Sequence, residues 1–384
     1  MKNKKPNISI LTLSLGSGGA EKVISLLIKE LKNDYSVSLV LFYNVIHFPI
    51  PEEVDVITLS KKGVNRPYYL RFFDFLTFLF KYNKLIKQRN INIAVSFLAF
   101  PNLMNGIIAI LNAKVKTIIS ERGFPSDNTT NKLSLYISKI FYPIFYNRCD
   151  ALFSNSTHIN QDLKDNFGIK IPMEVIYNPI EIPIKAIQPE TLNNNEISMR
   201  VVTAGTLNKR KNHIMIIRAF AGIKNSNINL TILGGGELKS YLENEIIKHN
   251  LTDKITLGGI VSNVNDYFIK SNCFVLSSFT EGFPNALLEA MAVGLPCIST
   301  NCLSGPLELL NENETVKISD GEFIIAKYGL LVNNNDHLGL RNAIVYFRDH
   351  PKEREKYSRL SIKRSKEYQI DTIYSIFNQY LQKH

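Results

Sequence analysis

The sequence predicts an α/β protein made of two doubly wound domains of similar architecture. Two observations carry this. Short apolar, strand-like runs alternate with longer helical stretches, first over residues 7–180 and again from Val201 onward. Between the two series lies EIPIKAIQPETLNNNEIS, residues 181–198, with two prolines, an asparagine run and no sustained period. A chain of 384 residues is long enough for two such domains. The expected division is therefore 1–180, a linker at 181–198, and 199–384.

Each element follows from its pattern. In the first half, strands are expected at Ile8–Leu13, Val37–Phe42, Ile93–Phe97, Lys116–Ile119, Ala151–Ser154 and Glu174–Ile176, with helical stretches such as Glu21–Leu31 and Leu133–Tyr146 between them. In the second half, strands are expected at 200–204, 228–233, 254–257, 273–276 and 296–299, and helices at 212–223, 237–248 and 284–293. Residues 336–384 read as wholly helical. Two such sheets facing each other would hold a ligand in the cleft between them.

Composition narrows the function classes. The chain is 45% hydrophobic and 21% charged, which excludes disordered, collagen-like and disulfide-scaffold proteins. Lys and Arg number 45 against 34 Asp and Glu, a net charge of +11 that favours an anionic partner: nucleic acid, an acidic membrane surface or a phosphorylated substrate. Cys149, Cys273, Cys297 and Cys302 form no C-x-x-C pair, so neither a zinc site nor a redox motif is indicated, and a reduced, cytoplasmic setting fits. Lys2, Lys4 and Lys5 before an apolar run superficially resemble a secretory signal, but Ser9, Thr12 and Ser14 interrupt the run and favour a strand. No run of uncharged apolar residues is long enough to span a membrane.

Several familiar motifs fail. In Gly16-Ser17-Gly18-Gly19-Ala20-Glu21 the third glycine of a dinucleotide fingerprint falls on Glu21, and after Gly234-Gly235-Gly236 it falls on Lys239. There is no Gly-Lys dipeptide, no H-E-x-x-H and no D-x-D, which argues against a P-loop and against metal-dependent chemistry. The loop at Gly16–Gly19 could still offer backbone N–H groups to a phosphate, or be a plain tight turn.

The informative stretch is SSFTEGFPNALLEAMAVGLPCIST, Ser277–Thr300. A strand leads into a Gly-Phe-Pro turn, a helix starts near Pro284, and Gly294-Leu295-Pro296 ends it. Glu281 precedes the helix and Glu289 lies two turns inside it. N–H groups at Asn285, Ala286 and Leu287 would hold a diphosphate, and the two carboxylates would accept bonds from sugar and ribose hydroxyls.

This pattern resembles glycosyltransferase family 4, the retaining GT-B enzymes that use nucleotide-sugar donors. The resemblance runs along essentially the whole chain. It rests on Gly18-Gly19-Ala20-Glu21, Ser120-Glu121-Arg122-Gly123, Ser154-Asn155-Ser156, Ile176-Tyr177-Asn178-Pro179, Lys211-Asn212, Gly258-Gly259 and the Glu281-x7-Glu289 block. It implies a GT-B fold, two Rossmann-like domains facing across a cleft, with C-terminal helices that can return to the N-terminal domain. By the same resemblance Gly18 and Gly19 approach the diphosphate, and Lys211 neutralises a phosphate. Glu281 binds the transferred sugar, Glu289 the ribose, and the backbone from Ile260 frames the base. Phe283, Pro284, Asn285, Ala286 and Leu287 complete the donor site, and Arg122 faces the reaction centre. One departure stands out: Thr206 replaces the family's usual arginine, with Arg210 as a candidate substitute.

The resemblance further implies a metal-independent transfer without a cofactor. The donor would be a nucleotide sugar, most often UDP-linked. The acceptor would be a polyprenyl-diphosphate-linked or other cell-envelope glycan, as in O-antigen, capsule or lipopolysaccharide synthesis. Residues 66–90 support a membrane-surface site. Tyr69, Phe72, Phe73, Leu76, Leu79 and Phe80 form a helical stripe, widened by Phe75 and Phe78, among Arg66, Arg71, Lys81, Lys84, Lys87 and Arg89. A buried helix with a basic rim is the alternative. Lys132 to Arg148 would extend such a surface on the inner face of the cytoplasmic membrane. Two other readings are set aside: the Glu281-x7-Glu289 block argues against a nucleotide-sugar epimerase of the same fold, and a basic nucleic-acid-binding protein lacks a recognition module or helix. No nucleic-acid partner is expected.

Overall fold

The computed structural model describes residues 5–60, 68–127, 132–193, 198–223 and 227–384. The chain forms two compact units, one comprising residues through Pro179 together with Ile370–His384, the other Ile180–Gln369.

The first unit runs β1 (Asn7–Thr12), α1 (Gly19–Asp34), β2 (Ser36–Tyr43), β3 (Asp55–Ser60), α2 (Tyr68–Gln88), β4 (Ile93–Phe97), α3 (Ala99–Leu111), β5 (Lys116–Glu121), α4 (Lys132–Tyr146), β6 (Ala151–Ser154), α5 (Thr157–Phe167) and β7 (Met173–Val175). Its seven strands are parallel in the order β3-β2-β1-β4-β5-β6-β7, so the strand order reverses between β1 and β4. Helices cover both faces, and β1 is accordingly buried on both. The alternation of Ser9 with apolar neighbours marks a strand, but Ser9 does not face water: its hydroxyl shares a 2.9 Å hydrogen bond with the buried Tyr82. Local signals set the helix ends. The Ser156 side chain accepts from His158 N–H to cap α5, and Gly168 ends it in the left-handed conformation at φ 63°.

The second unit runs β8 (Ser198–Ala204), α6 (His213–Ala221), β9 (Asn227–Leu233), α7 (Lys239–Lys248), β10 (Ile255–Gly259), α8 (Val264–Phe268), β11 (Cys273–Leu276), α9 (Asn285–Ala292), β12 (Cys297–Thr300), α10 (Pro306–Asn311), β13 (Phe323–Ile325), β14 (Leu330–Val332), α11 (His337–Asp349) and α12 (Pro351–Ser365). Its sheet has the order β10-β9-β8-β11-β12-β14-β13, parallel except for the edge strand β13.

One boundary differs from the sequence reading. The described part of the expected linker, residues 181–193, is not a free connector, because it packs within the second unit. Ile187 N–H donates to Val293 O, Leu192 is buried, and Arg354 Nε donates to Leu192 O. α13 (Ile370–Lys383) joins the first unit, as the expected return of the C-terminal helices has it, and Ile373, Phe377, Tyr380 and Leu381 enter the core with Ile8, Ile10 and Phe153. Each such buried side chain contributes about 2 kcal/mol. No helix among the described residues is long and apolar enough to cross a membrane.

Candidate active site

In the second unit the turn after β8 fixes Lys211. Asn208 Oδ1 accepts from Lys211 N–H, closing one short helical turn, and Asn212 then takes a left-handed conformation at φ 50° to start α6. The lysine stem crosses Gly205, where a Cβ would lie 3.4 Å from Lys211 Cε. Gly205 is in turn pressed by Gly234, whose φ of 131° and 2.0 Å clearance to Gly205 O, measured from a Cβ, admit no other residue. The turn is fastened to the segment after β11 by two hydrogen bonds, Ser277 Oγ to Lys211 O and Phe279 N–H to Arg210 O.

This framework delivers a compact charge cluster. Lys211 Nζ lies 2.6 Å from Glu281 Oε1, Arg210 Nη1 lies 2.9 Å from Oε2, and Ser278 Oγ donates to Oε1 at 2.5 Å. Glu281 is only 5% exposed. Burial alone would raise its pKa, but the two cations and the lysine and serine hydrogen bonds outweigh that and hold it below the usual carboxylate range. Arg210 thus occupies the position beside Glu281, its guanidinium also donating to Thr280 O, while Thr206 is exposed on the same turn. His213 is buried next to the cluster, and burial with the nearby Lys211 charge pushes it down to about 4, so it is neutral at physiological pH. Sequence reading missed His213 and Ser278, although both adjoin the motifs it used.

The turn from Glu281 to α9 starts the helix where expected, with Pro284 as the N-cap and Asn285 the first helical residue, but Leu287 N–H is used inside the turn, donating to Pro284 O. Leu287 is therefore removed from the set of N–H groups offered to a diphosphate. The ring of Phe283, expected in the donor site, is buried, 5.6 Å from that of Tyr368. Asn285, Ala286 and Glu289 are the partly exposed residues of α9, at spacings that put them on one face. Ile260 lies beyond β10 with an 86% exposed side chain that leans over Gly235.

In the first unit Gly18 is the N-cap of α1, and the Glu21 carboxylate folds over it, 2.2 Å from where a Cβ would stand. Burial raises the Glu21 pKa. Arg122 follows β5, but it is buried rather than directed to solvent, with Nη2 donating to Asn178 Oδ1. Asn155 Nδ2 donates to the same oxygen at 3.2 Å and lies 3.5 Å from Arg122 O. Three short motifs that are scattered in the sequence, at 120–123, 154–156 and 176–179, thus meet at one end of the sheet. Next to them Glu121 is buried and accepts from Tyr146 Oη at 3.1 Å; burial pushes its carboxyl up to about 7.

The fold and the lysine–glutamate cluster define a GT-B glycosyltransferase. The sequence matches the family description Glycosyltransferase Family 4 over residues 17–182 and Glycosyl transferases group 1 over residues 185–364. It is 30% identical over 367 residues to an N-acetylgalactosamine-N,N'-diacetylbacillosaminyl-diphospho-undecaprenol 4-alpha-N-acetylgalactosaminyltransferase of Campylobacter jejuni, covering 94% of this chain and 95% of that protein. Among solved structures it is similar to the lipopolysaccharide outer core galactosyltransferase WaaB, with a TM-score of 0.74 at 17% identity over 98% of this chain and 99% of that one. It is likewise similar to Anabaena HepE in complex with UDP, with a TM-score of 0.74 at 15% identity over 98% of this chain and 100% of that one. The chain belongs to glycosyltransferase family 4.

Proposed function

We propose that this glycosyltransferase moves a hexosyl or N-acetylhexosaminyl group, with retained anomeric configuration, from a UDP-sugar to a polyprenyl-diphosphate-linked glycan of the cell envelope. The observation that carries the donor half is the Lys211–Glu281 pair with Arg210 beside it. Departure of a nucleoside diphosphate builds negative charge on its oxygens, and a preorganised lysine and guanidinium stabilise that charge without a metal. Glu281, kept ionised, orients the cations and offers its oxygens to sugar hydroxyls. Glu289, on the partly exposed face of α9, takes the ribose. The acceptor half is supported by the Campylobacter jejuni relative, whose name specifies a diphospho-undecaprenol-linked acceptor. The UDP held by HepE supports the base.

A thermal-shift panel of UDP, GDP, ADP and CMP, with and without EDTA, tests the donor half. A UDP-selective, EDTA-insensitive rise is expected, since a ligand at about 100 times its dissociation constant adds about 2.7 kcal/mol. A GDP-selective rise would replace the base, and an EDTA-sensitive one would reinstate a metal. Incubation of UDP-GalNAc with a lipid-diphosphate-linked disaccharide tests the acceptor half, and failure to extend it would reject that acceptor class.

The protein is further proposed to work peripherally on the inner face of the cytoplasmic membrane. On α2, Phe73, Leu76 and Phe80 are 63%, 47% and 71% exposed, whereas Phe78 turns into the core. On α4, Tyr136, Ile137, Ile140, Phe141 and Ile144 form a second exposed apolar face. The two helices flank α3, which packs on both. Lys84, Lys87 and Lys139 supply exposed cations on these elements. Arg66, and the side chains of Tyr69, Arg71, Phe72 and Lys132, lie outside the described residues. The paired change Ile140→Ser with Phe141→Ser is expected to reduce co-sedimentation with phosphatidylglycerol vesicles by about tenfold, consistent with losing two buried apolar groups. Unchanged sedimentation would exclude α4 from the membrane contact.

A further inference from the structure

The buried guanidinium of Arg122 is poorly met by the protein around it. It carries five N–H donors and a charge that it cannot shed. Burial draws its pKa down only to about 9, so it stays charged at neutral pH. It donates to Asn178 Oδ1 and lies 5.9 Å from the Phe97 and Phe153 rings, but its Nε–H is buried without a partner. Among the described residues no carboxylate forms a salt bridge with it. The neighbouring Glu121 attracts it at longer range but spends an oxygen on Tyr146, and burial pushes its carboxyl up to about 7. Asn155, 2% exposed, also has an unpartnered atom, Oδ1. A buried cation with so few partners is unfavourable unless something else completes it.

The surroundings say what that is. Arg122 and Asn155 follow the C-terminal ends of β5 and β6, the edge at which parallel sheets take ligands. The 11-residue helix α5 begins directly after the Ser156 cap and brings its positive end to the same place. The Arg122 guanidinium, with its unpartnered Nε–H, and the helix terminus together suit an ionised phosphate, while the Asn155 oxygen remains an acceptor for a hydroxyl beside it.

We propose that Arg122, positioned by Asn178 and Asn155, binds a phosphate group of a diphosphate-bearing substrate at a site within the first unit, whereas Lys211 belongs to the second. The identity of that substrate rests on the function proposed above, but the site itself does not.

The experiment is calorimetric titration of inorganic pyrophosphate into full-length Lys211→Ala protein, and into the same protein carrying Arg122→Gln or Asn155→Asp. Lys211→Ala is expected to retain binding. Arg122→Gln should weaken it by about tenfold or more, as loss of a charge-assisted bidentate contact does. Asn155→Asp, which sets a carboxylate beside the phosphate, should weaken it comparably and gives an independent reading if Arg122→Gln fails to fold. Complete loss in Lys211→Ala alone, or binding indifferent to both second changes, would overturn the proposal. Competition locates the source. Displacement by farnesyl diphosphate and not by UDP assigns the phosphate to the lipid-linked acceptor, and displacement by UDP assigns it to the donor; either supports the site. Pyrophosphate binding needs no turnover, so a wrong donor or acceptor would leave this result standing.

Discussion

Replacing Lys211 with alanine is expected to lower the rate of sugar transfer by about 10²–10³-fold, the usual loss when one preorganised donor to a developing anion is removed. The fold should survive. Glu281, the buried partner, keeps Arg210 at 2.9 Å and Ser278 at 2.5 Å, so its charge is still met. The reverse substitution is less clean. Glu281→Ala would strand Lys211, only 13% exposed, and mix a folding defect into the kinetics. Initial rates at saturating donor, with a melting curve on the same preparation, make the comparison. A loss below about fivefold at unchanged stability would mean that the lysine has no part in stabilising the leaving group.

The second large effect concerns stability and pH. Glu121 has a folded-state pKa of about 7 against an ordinary 4.5, caused by burial and only partly offset by Tyr146 Oη and the Arg122 backbone N–H. A raised carboxyl means that the folded chain holds this proton more tightly than the unfolded one. Its contribution is therefore fully present below about pH 4.5 and is lost as pH rises through about 7. Glu121→Gln mimics the protonated form and does not titrate. Relative to wild type, the glutamine variant should gain on the order of 3 kcal/mol between about pH 4.5 and pH 8. Urea unfolding followed by circular dichroism across that range measures it. A wild-type-to-variant difference independent of pH would show that Glu121 titrates as an ordinary solvated carboxyl.

Much of this was readable in the residues because period and punctuation agree. Both alternating series emerge as sheets that are parallel but for the edge strand β13, and Ser156, Gly168 and Asn212 punctuate their helices as local chemistry demands. What escaped is what depends on tertiary burial. β3 is a half-exposed edge strand, and β13 and β14 have three residues each, too short to show a period. The stretch 181–198 has linker composition, yet Leu192 and Ile187 find a surface to cover. In the candidate site, the spacing of Glu281 and Glu289 located the turn into α9. The direction in which Phe283 faces, and the use of Leu287 N–H by Pro284 O, are properties of the folded turn that no spacing encodes. Asn155 and Asn178 were visible only as fragments of motifs, because the contact that gives them meaning joins positions 122, 155 and 178 through space.

The return of α13 to the first unit bears on how the chain is made. While residues beyond 180 are still being synthesised, Ile8, Ile10 and Phe153 have their strand partners but lack Phe377 and Tyr380 above them. A ribosome-bound first unit therefore waits with part of its core open until residues 370–384 emerge, whereas the second unit, Ile180–Gln369, is continuous and can close as soon as it is out of the tunnel. Folding order is then inverted with respect to synthesis, and the exposed interval is the time in which the first unit is vulnerable to aggregation. An expression fragment cut after Pro179 would remain in that interval permanently.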